Sequence, residues 1–195
     1  MLVRQIFHTT KEKVQRTICL RRLCRENTVQ IGNPVKINWK NIHASGQNQL
    51  VFGDFSICLG TISCQKQESG FAIGERSFVG VRSTIVSTSH VSIGNDVLIA
   101  HDCYITDTDG HSLSPAVRAK DIPNRWNNFK DWTVVDSKPI TICENVWIGP
   151  RVVVLKGVQI GKGSVICAGS VVTKSIPEMT IAAGVPAKPI RSVDT

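Results

Sequence analysis

The sequence predicts an all-β chain wound into a parallel β-helix of six-residue repeats. Aliphatic residues recur at steps of six along the last third of the chain: Ile142, Ile148, Val154, Ile160, Ile166 and Val172. A helix needs an apolar residue every three to four positions and a half-exposed strand every two, so this spacing fits neither. In a β-helix each repeat supplies one short inward-facing strand, and three repeats close a triangular coil of about 18 residues.

A second observation is the small residue that follows many of these aliphatic positions. The period of six also occurs upstream, at Ile73, Val79 and Ile85, and then, two residues out of phase, at Ile93, Ile99 and Ile105. Small side chains come directly after them, as Gly74, Gly80, Gly94, Ala100, Gly149 and Gly161, with Cys143 and Cys167 as further small substitutes. We expect the coil to turn there, where bulk or an unfavourable φ is penalised.

Residues 1–26 differ from the repeats and predict an N-terminal amphipathic helix. Their apolar residues fall at near-helical spacing among seven Lys or Arg and two Glu: Leu2, Ile6, Thr10, Val14, Ile18 and Leu23. Such a helix fits either a cap on the open end of the solenoid or a weak peripheral contact with an anionic membrane. We favour the cap.

The rest of the chain, residues 27–195, is predicted to form one β-helix domain, since 195 residues suffice for a single core. Before Ile73 the period is ragged, which indicates irregular opening coils. The repeat breaks once, and we expect a loop insertion over residues 106–139 with three prolines and three aromatic residues. Insertions in solenoids project as loops and often carry function. Residues 178–195 form the C-terminal tail.

Composition indicates the compartment of the protein and the kind of ligand that suits it. No stretch approaches 18 uncharged apolar residues and the N-terminus lacks a signal-like apolar run, so we expect a cytoplasmic protein. Seven cysteines without a CxxC pair indicate free thiols in a reducing compartment. The net charge of +8 is concentrated at both ends of the chain. No nucleic-acid motif accompanies it, and a compact phosphorylated ligand suits the C-terminal cluster better.

The insertion begins with the residues best suited to chemistry, Asp107, Asp109 and His111. A hydroxyl is a poor nucleophile near neutral pH, and a positioned imidazole can accept its proton. An acid on the other ring nitrogen would fix the tautomer. Asp107 and Asp109 are candidates for that orienting role, and the alternative is that both only shape the turn.

Residues 73–191 resemble the hexapeptide acyltransferases, and two motifs resemble their galactoside and maltose O-acetyltransferase branch. The motifs are ICENVWIG at 142–149 and AAGVPAKPIR at 182–191. The resemblance implies a left-handed β-helix, a homotrimer with active sites between subunits, acetyl-CoA as acyl donor, and His111 as catalytic base. It also implies that Trp147 lies beside acetyl-CoA, that Ala168 meets its pantetheine arm, and that Lys174, Lys188 and Arg191 lie near its 3′-phosphate.

The resemblance is weaker at the acceptor site. Our alignment puts Gly80 and Thr88 where galactoside enzymes carry an asparagine and an aspartate, and the insertion is longer. Trp126 and Trp132 in that insertion either stack on a sugar or pack the loop onto the coils. The aspartate-flanked histidine and aromatic loop look more like enzymes that acetylate capsule, lipopolysaccharide O-antigen or exopolysaccharide.

We therefore expect an acetyl-CoA-dependent O-acetyltransferase acting on a surface-polysaccharide sugar or its precursor. The alternatives are N-acetylation of a nucleotide-linked amino sugar and a non-catalytic trimeric scaffold. No metal is expected, because His90, His101 and His111 are spaced by eleven and ten residues and include no pair five apart, unlike the zinc-binding histidines of β-helical carbonic anhydrases.

Overall fold

A computed structural model describes residues 10–44 and 46–193. The chain starts with α1, Thr10–Glu26. The part of the predicted helix before residue 10, with Leu2 and Ile6, lies outside the described residues. Leu23 is 1% exposed within the core, whereas Ile18 is 59% exposed. The predicted apolar stripe is therefore wrong at Ile18: the helix docks through Leu23, with Cys19 and Leu20 packed beside it.

Six three-sided coils follow the helix. The first four contain β1 (Thr28–Ile31), β2 (Lys36–Ile37), β3 (Ile42–Ala44), β4 (Gln49–Phe52), β5 (Ile57–Cys58), β6 (Thr61–Cys64), β7 (Gly70–Ile73), β8 (Phe78–Val79), β9 (Thr84–Ser87), β10 (His90–Ile93), β11 (Leu98–Ile99) and β12 (Tyr104–Thr106). Residues 107–139 leave the coil and carry α2 (Pro115–Arg118) and α3 (Asp121–Trp126). The last two coils contain β13 (Ile140–Ile142), β14 (Trp147–Ile148), β15 (Val153–Val154), β16 (Gln159–Ile160), β17 (Val165–Ile166) and β18 (Val171–Val172).

The strands stack into three parallel sheets, which we name faces one, two and three. Face one contains β1, β4, β7, β10, β13 and β16; face two contains β2, β5, β8, β11, β14 and β17; face three contains β3, β6, β9, β12, β15 and β18. The predicted parallel β-helix is confirmed. Its left-handed winding stays a prediction.

The hexad residues line the interior. Ile73, Val79, Ile85, Ile93, Ile99 and Ile105, and the six from Ile142 to Val172, are all at most 2% exposed. Burying an aliphatic side chain of this size is worth roughly 1.5–3 kcal/mol, so the repeat is the main source of stability. The small residue that follows is required by close approach of the next coil. A Cβ on Gly74 would lie 2.6 Å from the carbonyl carbon of Gly94, and the φ of Gly74 is not positive.

The opening coils are more regular than the sequence predicts, but they are longer. Register pairs Ile31 with Phe52, Phe52 with Ile73, and Ile73 with Ile93, which gives coils of 21, 21 and 20 residues; Ile142 pairs with Ile160, 18 residues on. The extra residues lie where face three turns into face one, which we name the three–one corner. This variable corner hides the period before Ile73. Inward positions there are also held by Leu50, Phe52 and Cys58.

The C-terminal tail ends the solenoid with a hairpin. Strand β19, Thr180–Gly184, continues face two in parallel with β17, and β20, Ala187–Ser192, then pairs with β19 in the antiparallel sense. Residues 194 and 195 of the predicted tail lie outside the described residues.

The remaining predictions from composition concern membranes and thiols. None of the helices described for this chain has the length and apolar character needed to cross a bilayer. All seven cysteines are free thiols, three of them buried. Burial raises the pKa of the Cys58 thiol to about 12, which leaves it inert at neutral pH.

Candidate functional site

The insertion leaves and returns at the three–one corner through a short antiparallel ladder. Thr108 pairs with Ser137, the amide of Asp109 donates to the carbonyl of Asp136 at 3.1 Å, and the amide of Lys138 donates to the carbonyl of Asp107 at 2.9 Å. The base of the loop is therefore fixed to the coils. His111 follows two residues after this ladder.

His111 is held by an acid that the sequence analysis did not identify. Its Nδ1 contacts Oδ2 of Asp121, which lies in the first turn of α3. The His111 side chain is 57% exposed, whereas that of Asp121 is 8% exposed. The structure thus places a half-exposed imidazole against a buried carboxylate.

A lysine completes this cluster. Nζ of Lys130 lies 3.1 Å from Oδ2 of Asp121 and 3.4 Å from Nδ1 of His111, and its side chain is 9% exposed. The hydrogen bond from His111, followed by that from Lys130, lowers the pKa of Asp121. An ionised carboxylate only accepts, so Nδ1 carries a proton, and in the neutral imidazole Nε2 then keeps the lone pair. Nε2 has no hydrogen-bond partner among the described residues.

Asp107 does not contact His111 and instead anchors the corner. It is fully buried, and its carboxylate accepts hydrogen bonds from the amides of Thr88 and Ser89, both at 2.8 Å, and from the hydroxyls of Ser87 and Thr88. Of the two roles considered for Asp107, shaping the turn is the one its contacts support.

Asp109 also points away from His111. Its carboxylate pairs with Nζ of Lys156, which lies 2.9 Å from Oδ2 of Asp136 as well. Lys156 lies two residues after β15, in the coil that follows the insertion, so these ion pairs tie the start and the end of the loop to that coil. The carboxylate that contacts His111 is that of Asp121, and neither Asp107 nor Asp109 makes the predicted contact.

On the opposite side of the coil, Trp147 projects from β14 on face two and is 54% exposed. Register places it in one outward row with Val165, Ile181 and Arg191. Neighbouring strands lie about 4.8 Å apart, so this row separates Trp147 from Arg191 by roughly 14 Å.

A β-bulge in the C-terminal hairpin gathers two of the predicted basic residues. Lys188 pairs with Ala183 and Arg191 with Ile181, and the register shifts between Ile181 and Ala182. Residues three apart on a regular strand point to opposite faces; the bulge puts Lys188 and Arg191 on the same face. The exposed side chains of Lys188 and Arg191 therefore extend the outward row of face two.

Ala168 lies beside that row, whereas Lys174 lies at the three–one corner of the last coil. Both are exposed, Ala168 in the turn after β17 and Lys174 in the segment after β18. The coil beneath Ala168 packs closely, because a Cβ on Gly149 would lie 2.8 Å from the Ala168 amide nitrogen. The five residues predicted to bind the donor thus occupy face two and the last coils, with a small residue where a ligand could approach the backbone.

In a three-sided coil, face two is opposite the three–one corner. At that corner the insertion, α1 and the opening coils line one cavity, with Arg125, Lys130 and Trp132 from the insertion and Arg22 and His43 from the other two. His111 and the predicted donor residues on face two therefore lie on opposite sides of one chain, and Lys174 is the exception. Within residues 10–44 and 46–193 no group of three His, Cys, Asp or Glu side chains is close enough to hold a metal ion.

Fold and site together define a parallel β-solenoid with a histidine-bearing loop. Residues 71–107 match the family model described as hexapeptide repeat of succinyl-transferase, and residues 139–174 match bacterial transferase hexapeptide (six repeats). These matches assign the repeats on both sides of the insertion to models of hexapeptide-repeat transferases.

Relatives and solved structures agree with this assignment. The chain is 41% identical over 126 residues to a galactoside O-acetyltransferase of Escherichia coli, covering 65% of this chain and 56% of that protein. It is 42% identical over 109 residues to the Escherichia coli putative lipopolysaccharide biosynthesis O-acetyl transferase WbbJ, covering 55% and 53%. A galactoside acetyltransferase in complex with coenzyme A superposes with a TM-score of 0.52 at 27% identity, covering 97% of this chain and 74% of that one. The matches span about half the length of the curated relatives.

Proposed function

We propose that the protein is an acetyl-CoA-dependent O-acetyltransferase that acetylates a hydroxyl of a surface-polysaccharide sugar or its precursor, with His111 as general base. The observation that carries the proposal is the imidazole of His111, held through Nδ1 by the ionised Asp121 with Nε2 left without a partner among the described residues. The similarity to a galactoside O-acetyltransferase and to the lipopolysaccharide O-acetyl transferase WbbJ supports the reaction and the acceptor class.

In the reaction, Nε2 of His111 takes the proton of the acceptor hydroxyl as its oxygen attacks the thioester carbonyl. The carbon–sulfur bond then breaks, and the CoA sulfur takes a proton from the imidazolium. Asp121 stabilises the imidazolium and keeps the ring oriented, and Lys130 holds Asp121 ionised. A general base of this kind contributes about 10²–10⁴ to the rate.

The residues on face two fit acetyl-CoA as the donor substrate. Trp147 offers an exposed aromatic face, Ala168 a small side chain beside the backbone, and Lys188 and Arg191 two cations on one face for the 3′-phosphate. Lys174 is a third cation in the same part of the chain. The solved relative in complex with coenzyme A supports this donor.

A homotrimer with active sites between subunits reconciles the two halves of the site. The face-two residues Trp147, Lys188 and Arg191 lie opposite His111 in one chain, so one protomer would bring His111 to the donor bound on face two of its neighbour. Such a contact is heterologous and closes into a ring at three copies.

The decisive experiment is His111→Ala. We expect turnover to fall at least about 100-fold, with acetyl-CoA binding nearly unchanged, because the variant removes the base without touching face two. Release of the free CoA thiol measures turnover on sugar acceptors, and calorimetry measures donor binding. His101→Ala is the matched control, since His101 is paired with Asp102 and lies outside the insertion. Unchanged turnover in His111→Ala would remove His111 from the mechanism.

A further inference from the structure

A cleft lies between α1, the opening coils and the insertion, and the mechanism above uses only one residue of its wall, Lys130. Its volume is about 530 Å³, and its walls include Arg22, Arg25 and Glu26 of α1 and Arg125, Lys130 and Trp132 of the insertion. We name it the α1 cleft. This volume is within the range of sites that bind small molecules.

Cations dominate the α1 cleft. Arg22 and Arg25 lie three positions apart on α1 and so project from the same side of the helix. Arg22, Arg25 and Arg125 have no ion-pair partner among the described residues, and Glu26 is the one acid of the described chain in the cleft wall. A concave surface lined mainly by one sign of charge concentrates ions of the other sign.

The cleft adjoins the cluster that holds the proposed catalytic base on its Nδ1 side. Lys130 belongs to its wall and lies 3.4 Å from Nδ1 of His111. The charge of Lys130 is compensated by Asp121, so the arginines supply the uncompensated positive charge. The half-buried ring of Trp132 adds an apolar surface on which the carbon face of a sugar can pack.

We propose that the α1 cleft binds a negatively charged saccharide, and that it is the acceptor-binding site of the enzyme. The guanidinium groups of Arg22, Arg25 and Arg125 would pair with carboxylates or phosphates of the acceptor, which Arg recognises through two parallel N–H donors. The assignment of the cleft as the acceptor site rests on the proposed function. Binding of an anionic saccharide to the cleft does not depend on turnover.

The test measures binding without an acetyl donor. Tri-galacturonate, UDP-glucose and the neutral maltotriose are titrated into the full-length protein by calorimetry at low and high salt. We expect an anionic saccharide to bind more tightly than maltotriose, and its affinity to fall as salt rises. Tri-galacturonate as the tighter ligand would identify a carboxylated glycan, and UDP-glucose a nucleotide-linked precursor.

The variant pair is Arg22→Gln with Arg25→Gln, and the matched control is Arg16→Gln with Arg21→Gln. All four arginines are exposed on α1, but only the first pair lines the cleft. We expect the cleft pair to weaken the anionic saccharide at least about tenfold, as loss of charge-assisted hydrogen bonds does, and the control pair to leave it unchanged. Equal melting temperatures of the two double variants establish that both are folded.

Two outcomes would overturn the proposal: maltotriose binding as tightly as both anionic probes, or equal effects of the two double variants. Failure of the proposed function has a different signature. In that case the anionic saccharide still binds and still depends on Arg22 and Arg25, while no saccharide is acetylated. If a neutral sugar is acetylated at the same rate by the parent and the cleft pair, the function stands and the acceptor assignment fails.

Discussion

Asp107 and Asp121 are two buried carboxylates of the same corner with different partners. Asp107 accepts hydrogen bonds from backbone and hydroxyl donors of residues 87–89, whereas Asp121 contacts His111 and Lys130. Replacing each by Asn therefore separates a structural effect from a catalytic one. Asp121→Asn should lower kcat by about 100-fold, because the orienting carboxylate is lost, with little change in the KM for acetyl-CoA.

Asp107→Asn should instead lower the stability of the fold and have little direct effect on catalysis. An amide group cannot accept at both of its ends, so buried donors lose a partner and the free energy of unfolding should fall by about 1–3 kcal/mol. Urea unfolding and steady-state kinetics on both variants make the comparison. A catalytic defect in Asp107→Asn without loss of stability would assign the orienting role to Asp107 after all.

At the scale of single residues, the sequence predicts His111 but not its partners. His111 stands out because it opens the one break in the repeat. Asp121 and Lys130 are 10 and 19 residues further on, inside a segment with no period, and only the fold of the insertion brings them to the imidazole. A local motif cannot identify such a contact. Sequence analysis therefore favours Asp107 and Asp109 for the orienting role, because they lie close to His111 in the sequence.

The insertion is an element held by ion pairs, and its order should therefore depend on pH. Hydrogen bonds from His111 and Lys130 lower the pKa of Asp121 from its ordinary value of 3.8, and a hydrogen bond from Lys156 lowers that of Asp136. A carboxylate with a lowered folded pKa contributes stability that is fully present above the unfolded value and is lost as pH falls through the folded value.

We therefore expect the environment of Trp132, whose ring lies 5.6 Å from Nζ of Lys130, to stay constant from pH 7 to about pH 4.5 and to change at lower pH. The fluorescence difference between the parent and Trp132→Phe reports it. Asp121→Asn should shift or abolish the transition. A transition already complete at pH 5 would contradict stabilisation of the Asp121 carboxylate.

The helix α1 is expected to act as a cap on the first coil. Leu23 is buried with Trp39, so Leu23→Ala should lower the free energy of unfolding by about 2–5 kcal/mol. Ile18→Ala on the same helix is the control and should change it by less than about 0.5 kcal/mol, because Ile18 is exposed. Denaturant titration of both variants measures the two values. Equal effects would mean that α1 does not dock through Leu23.

At the scale of elements, the coils are predictable where the period is strict. Ile142 to Val172 fall at six-residue steps because faces one, two and three meet at corners of fixed length there. In the opening coils the length of the three–one corner varies. The corner runs from Ile62 to Phe71 in the second coil but only from Val154 to Val158 in the fifth. The hexad pattern therefore loses phase although the three faces continue.

For the whole molecule, the proposed homotrimer predicts complementation between subunits, because His111 lies opposite the predicted donor residues Lys188 and Arg191 in one chain. His111→Ala and the double variant Lys188→Ala, Arg191→Ala should each be poorly active, and trimers reassembled from an equal mixture should regain roughly a quarter of parental activity, since that share of sites would pair an intact base with an intact donor surface. Thiol release before and after mixing measures it, with each variant reassembled alone as control. Activity no higher than that of the separate variants would place both halves of the site in one chain.

The antiparallel pairing of β20 with β19 affects how readily this solenoid could associate through its strand edges. A stack of parallel strands has edges that another molecule can extend, and solenoids with bare ends are templates for fibrils. At the last edge of face two the direction of the chain is reversed, and Pro189 removes one amide donor while Lys188 and Arg191 add charge. Truncation before Thr180 would expose β17 as an open parallel edge. We therefore expect the hairpin that carries Lys188 and Arg191 to oppose end-to-end polymerisation of this molecule as well.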